Sequence, residues 1–228
     1  MSYKLITLDA FAALVDIQGS LAPIVAEALS LSEKKAYDFV NLWRLKQLER
    51  AAISNQIDFG HVSFRVCTDQ ALNYVINRNK LSVSEPVREI LNESWNDLEP
   101  WPDALDTIQE IKSLGYDTAI LSNGDQDMLS AIAKKFENYV DHILSAELAQ
   151  NFKPHLSVYE LPIKRLGFEK DEILHVAGSP SDVIGARAFG IACYWSNRFN
   201  DCVVDNSFKA TYEDCGLKGI IQLLKKTS

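Results

Sequence analysis

No stretch of the 228 residues approaches the run of roughly 18–20 apolar residues that a membrane-spanning helix needs. Positive charge is in deficit. The 23 Lys and Arg face 31 Asp and Glu, a net charge of -8, the wrong sign for a surface that follows a phosphate backbone. Small anionic substrates stay open, because a local cationic pocket can sit inside an acidic protein. Cysteine is scarce: Cys67, Cys193, Cys202 and Cys215 form no C-x-x-C pair, so neither a zinc knuckle nor a disulfide frame is indicated. The histidines His61, His142 and His155 are scattered without ligand spacing. His175 lies in an apolar strand, where a satisfied core residue is a simpler reading than a base. None of the four is assigned to a metal or to catalysis. Internal repeats and low-complexity tracts are missing. Met1-Ser2-Tyr3-Lys4 runs straight into an apolar strand, with no cationic start and long apolar run of a leader. The expectation is a cytoplasmic protein with free thiols, no nucleic-acid or membrane partner, no metal and no cofactor.

What is present is ample apolar material, 47% of the chain, with 24% charged residues. That is enough for one large domain or a core with a smaller unit beside it. From about residue 17 to 98 the apolar spacing is helical. Leu21, Ile24, Val25, Ala28 and Leu29 recur on one face, Ser32 can start a second helix, and further helices are expected over about 62–76 and 85–98. Two prolines in Glu99–Pro102 end this stretch. Beyond it strands and helices alternate. Helices are expected over about 103–114, 127–136, 153–167 (with Pro162 bending or shortening it), 181–190 and 216–226. Strands are expected over 117–121, 142–146, 173–178 and 191–195. Such alternation predicts an α/β fold: a Rossmann-like parallel sheet core with helices on both faces, plus an inserted helical cap after the first strand. The expected division is 1–14 with 100–228 for the core and 15–99 for the cap.

The segment Leu5–Asp16, LITLDAFAALVD, places one carboxylate, Asp9, in the most apolar stretch near the N-terminus. A charge there is costly unless it is paired, bound to a metal or used in chemistry. In sheets of this class ligands bind at the carboxyl ends of the strands. Asp9 ends the first strand, Ser122-Asn123-Gly124 follow the AIL strand, Lys153-Pro154 follow HILS by a short loop, and Ser179 and Asp182 follow LHVAG. These four polar clusters are expected to meet in one pocket.

The ordered set LDAFAALVD, ILSNG, FKPHLSVYEL and VAGSPSDVIGARAFG, with LWRLKQLE in the helical block, resembles the haloacid dehalogenase superfamily and in particular its type II, L-2-haloacid branch. The resemblance implies roles. Asp9 would be the nucleophile that forms an ester later hydrolysed by water. Lys153 would neutralise Asp9 and the substrate carboxylate, and Asp182 would orient or activate the hydrolytic water. Arg44 and Asn123 would hold the leaving halide and Ser122 the substrate carboxylate, with Phe11, Tyr159 and Ser179 completing the binding set. Plainer readings stand beside these: Asp9 as a structural ion pair, Arg44 as a solvated charge, Ser122 as a helix N-cap, Asp182 as a first-turn acid, Tyr159 as a core aromatic. The superfamily's phosphatases resemble D-x-D, whose second acid protonates a departing alkoxide. Phe11 stands at that position here, which favours a leaving group that needs no proton.

The branch's usual D-x-Y-G-T-L reads Asp9-Ala10-Phe11-Ala12-Ala13-Leu14 in this chain. Ala13 lacks a threonine hydroxyl, and Ala12 replaces a glycine, so positive φ there would be strained. Ala177 and Ser179 stand where a serine and an asparagine usually help hold Lys153 and Asp182, and Ser181 stands where an aromatic lines the halide site. The reading from sequence is therefore a hydrolase displacing halide from short 2-haloacids with inversion, without cofactor, as a homodimer through the cap. The alternative is a divergent member acting as a weak phosphatase or as a small-acid binder without turnover.

Overall fold

A computed structural model describes residues 3–57 and 61–227. The chain divides into two compact units, Met1–Val15 with Pro100–Ser228, and Asp16–Glu99.

The chain opens with strand β1 (Leu5–Leu8), all four residues buried. The second unit follows and contains α1 (Ile17–Leu29), α2 (Glu33–Ile57), α3 (Phe64–Arg78) and α4 (Glu85–Glu93). Asp16 caps α1 by accepting from Gly19 N at 2.9 Å, and Ser63 caps α3 by accepting from Val66 N at 3.2 Å. Trp43 and Trp95 meet edge to face at 5.4 Å in its interior. The expected 85–98 helix stops at Glu93 and tightens into a 3-10 turn, Ser94–Asn96, where the Ser94 hydroxyl bonds back to Leu91 O at 2.6 Å.

From Pro100 the first unit resumes with α5 (Ala104–Ser113), β2 (Asp117–Ser122), α6 (Gln126–Lys134) and β3 (His142–Ser145). It continues through α7 (Leu156–Tyr159), α8 (Leu161–Leu166), β4 (Ile173–Ala177), α9 (Pro180–Phe189), β5 (Ala192–Ser196), β6 (Tyr212–Asp214) and α10 (Gly219–Thr227). The single helix expected over 153–167 is thus two short ones, the second carrying Pro162 in its first turn, where a missing N–H costs nothing. The six strands lie in the order β3-β2-β1-β4-β5-β6, and every pairing is parallel. Strand β6 is an addition to the expected five. Its three residues are mostly exposed and pair only with β5, so they carry no apolar signature of a buried strand.

This order puts β1 between β2 and β4, with Thr7 in register with Ala119 on one side and His175 on the other. The chain winds outward in opposite directions from β1, and the switch point of such a sheet opens a crevice at the strand ends. Asp9 and Asn123 come directly after β1 and β2, Ser179 follows β4 by one glycine, and Ser122 is the last residue of β2.

Candidate active site

Asp9 leaves β1 with its backbone N bonded to Val176 O of β4 at 2.9 Å. The residue is 6% exposed. Ser122 Oγ donates to Asp9 Oδ1 at 2.8 Å, and Lys153 Nζ donates to the same oxygen at 3.3 Å. Burial of a carboxylate is thereby compensated by a hydroxyl and an ammonium. Ser122 is not a helix N-cap, because Asp125 takes that position for α6. Its hydroxyl is committed to Asp9 in this structure.

Lys153 is 7% exposed and sits between two acids: Nζ donates to Asp182 Oδ2 at 2.9 Å as well as to Asp9. Its backbone N donates to Asn123 Oδ1 at 2.7 Å, which fixes the amide of Asn123 and turns its NH₂ edge away from the lysine backbone. The Lys153–Pro154 peptide is cis.

Asp182, in the first turn of α9, is 3% exposed. Tyr159 donates to its Oδ1 at 2.7 Å, and His175 Nε2 lies 3.0 Å from its Oδ2 beside Lys153. Burial works to raise this carboxyl, but the Lys153 ammonium, then His175 and the Tyr159 hydroxyl, outweigh it and hold Asp182 well below the usual carboxylate range. An acid so held is a weak base. Its geometry suits orienting Lys153 rather than stripping a proton from water. Burial, followed by the Asp182 charge, pushes the Tyr159 hydroxyl far up, so it acts as a neutral donor.

Other expected binding residues have partners within the protein. Tyr159 is fully buried and its hydroxyl serves Asp182. Phe11 is 1% exposed, and a Cβ on Gly124 would come within 2.9 Å of its ring: the ring packs on the loop after β2. Ser179 Oγ pairs with Ser181 Oγ at 3.4 Å, outside the ammonium cluster. Arg44 belongs to the helical unit, where Nη1 donates to Gln47 Oε1 at 2.6 Å and the guanidinium lies 6.0 Å from the Phe64 ring and 5.9 Å from the Trp95 ring. It is half-buried against aromatics rather than a solvated charge.

Ala12 adopts φ +80°, the strained conformation foreseen if the glycine was replaced. Gly178 explains why the chain tolerates nothing larger opposite it: a Cβ there would run into the backbone of Ala12 and Ala13. The loop after β1 and the end of β4 are thus pressed together, which seats Asp9.

His175 was read as a core residue, and it is 0% exposed. Yet it touches both Asp182 and Lys153. Its apolar neighbours in sequence hid this. Register with Thr7 and proximity to α9 are tertiary facts.

A carboxylate held by a hydroxyl and an ammonium at the end of the first strand of a doubly wound sheet is an arrangement that can serve a side-chain nucleophile. The model of the family described as haloacid dehalogenase-like hydrolase matches residues 6–190, and the chain belongs to that family. Among similar proteins, haloacetate dehalogenase H-2 of Moraxella sp. (strain B) is 34% identical over 72% of this chain and 74% of its own length. The (S)-2-haloacid dehalogenase of Pseudomonas sp. (strain YL) is 30% identical over 81% of this chain and 80% of its own. A crystal structure described as a dehalogenase is 27% identical, with TM-score 0.90 over 98% of this chain and 97% of that one.

Proposed function

We propose that this protein hydrolyses the carbon–halogen bond of short (S)-2-haloacids. The observation that carries the reading is the carboxylate of Asp9, a residue 6% exposed, with Ser122 and Lys153 on Oδ1. An Asp9 oxygen attacks C2 from the side opposite the halogen. The C–O bond forms as the carbon–halogen bond breaks, and the bonding pair leaves with the halide. Water then attacks the Asp9 carbonyl carbon of the ester; as the ester C–O bond breaks, one water proton passes to the departing alkoxide oxygen, giving a 2-hydroxy acid of inverted configuration, and the other is released to solvent as Asp9 returns to a carboxylate. The leaving halide takes no proton, which suits the phenyl ring of Phe11 where an acid would serve a departing alkoxide.

Two buried carboxylates bond the ammonium of Lys153, and an anionic substrate adds another negative charge. As the sequence resemblance implies, we assign Arg44 and the Asn123 amide to the departing halide. The chain works without a metal or organic cofactor in this scheme. We further infer a homodimer and a cytoplasmic location, the latter from four free thiols, of which Cys202 and Cys215 are exposed.

The test is incubation with L-2-chloropropionate or its bromo analogue. The expected result is halide and 2-hydroxypropionate of inverted configuration in equal amounts, unaffected by chelator. No halide from either, with Mg²⁺-dependent phosphate release from an aryl phosphate, would favour the phosphatase alternative.

A further inference from the structure

Strand β4, Ile173–Ala177, has a single polar side chain, His175. Nothing reaches it from solvent, yet its ring is bonded at both ends. Nδ1 lies 2.8 Å from Thr7 Oγ1 of β1, whose Cα is its register partner. Nε2 lies 3.0 Å from Asp182 Oδ2 and 3.3 Å from Lys153 Nζ. The Tyr159 ring stands edge-on at 5.7 Å, and Cys193 of β5 is the register partner on the other side.

We propose that Thr7 and His175 form a positioning relay that fixes Asp182, and through it the Lys153 ammonium, for the reaction at Asp9. The relay deepens the dehalogenase reading and rests on it. The shorter Nε2 contact is with an anionic oxygen, which needs a proton between the two atoms. Nε2–H therefore donates to Asp182 Oδ2, and the relay has the Thr7 hydroxyl donate to Nδ1. Thr7 thus selects the tautomer, and the strand register holds the selector in place. Asp182 is then gripped on Oδ1 by Tyr159 and on Oδ2 by His175 and Lys153, so its plane, and the direction in which it draws the ammonium, have no freedom. His175 reaches no substrate from its buried seat and is not itself a catalytic residue. Outer partners of this kind typically carry about 10–100-fold in activity.

Side chains two apart on a strand share a face, so a hydroxyl placed at Ala177 would enter the same side of β4 as His175. This gives a test that separates positioning from bulk stability. In His175→Leu, kcat falls by about 100-fold with KM within about twofold. Ala177→Ser alone changes kcat by less than twofold, and the double variant His175→Leu/Ala177→Ser regains at least tenfold. The isosteric Thr7→Val lowers kcat by about tenfold and answers the question should His175→Leu fail to fold. Unchanged kcat in Thr7→Val, or a double variant whose melting temperature recovers while kcat does not, overturns the relay. A second readout needs no turnover: the imidazole ¹⁵N spectrum of the unmodified protein shows His175 as the single Nε2–H tautomer, and Thr7→Val mixes the tautomers. An Nδ1–H tautomer in the unmodified protein refutes the relay. A protein that shows the Nε2–H form but releases no halide refutes the dehalogenase reading instead.

Discussion

The two units bury polar groups in different ways. In the helical unit Trp43 Nε1 donates to Thr68 O at 2.8 Å, Gln47 Nε2 to Thr68 Oγ1 at 2.6 Å, and the Thr68 hydroxyl to Phe64 O at 2.8 Å. All are neutral groups between α2 and α3, and each donor has an acceptor. The unit's Arg88–Asp69 ion pair, at 2.7 Å, stands at the surface with Asp69 42% exposed. In the α/β unit the buried polar groups include charged ones, Asp9, Lys153 and Asp182, all under 10% exposed, beside neutral ones such as Thr118, Ser145 and Asn197. A neutral buried network specifies packing and costs little to satisfy. Burying two carboxylates with one ammonium is a poor way to gain stability, since desolvation offsets most of the attraction. The contrast agrees with the proposed placing of the chemistry in the α/β unit, while the Trp43–Gln47–Thr68 set is scaffolding whose Gln47 also bonds Arg44.

That contrast can be broken by substitution. The largest effect belongs to Asp9→Asn, which keeps the volume and removes the nucleophilic charge: halide release falls by more than about 10³-fold, measured by chloride assay, while the melting temperature shifts little. Retained turnover would erase the distinction between the two networks.

Lys153→Met comes next and strikes stability as well as rate. It strands two buried acids and costs about 3–5 kcal/mol at neutral pH, read from denaturant midpoints. Asp182 is held below its unfolded value, so its favourable contribution is present above about pH 3.9 and is lost as pH falls through the folded value. In Lys153→Met that favourable pairing is gone, and acidification through about pH 4 lets the stranded carboxyl take up a proton, so the gap to the unmodified protein narrows. A gap independent of pH would deny that the ammonium is what holds Asp182 anionic.

Gln47→Leu probes the neutral network. It leaves the Thr68 hydroxyl with its bond to Phe64 O but deprives Arg44 of its Gln47 Oε1 acceptor. The expected cost is about 1–3 kcal/mol, with a rise in KM or a fall in halide release through Arg44. The smallest effect is a gain: Ala12→Gly relieves φ +80° and stabilises by about 1 kcal/mol, seen as a higher melting temperature.

Much of this was legible in the sequence, for identifiable reasons. The parallel sheet announced itself because β1, β2 and β4 are buried apolar runs separated by amphipathic helices. The strain at Ala12 followed from the resemblance, in which a glycine at that position marks backbone where positive φ would strain an alanine. Asp9, Lys153 and Asp182 stood out because a carboxylate after an apolar strand and a lysine after a strand-ending loop have few inexpensive explanations. Strand β6 escaped because Tyr212–Asp214 is short, polar and at an edge. The partners of Tyr159 and Ser122 within the protein escaped because a hydroxyl's bond is decided by what folds against it. His175 escaped for the opposite reason: its apolar neighbours describe its burial faithfully and say nothing of the carboxylate that α9 brings to its Nε2.

The most direct measurement is a single turnover in ¹⁸O-enriched water with enzyme in excess over L-2-chloropropionate, followed by mass analysis of the peptide that contains Asp9. Heavy oxygen in the Asp9 carboxylate and ordinary oxygen in the product hydroxyl is the predicted result. Label found only in the product, with Asp9 unlabelled, would mean that water attacks carbon directly and would contradict the account.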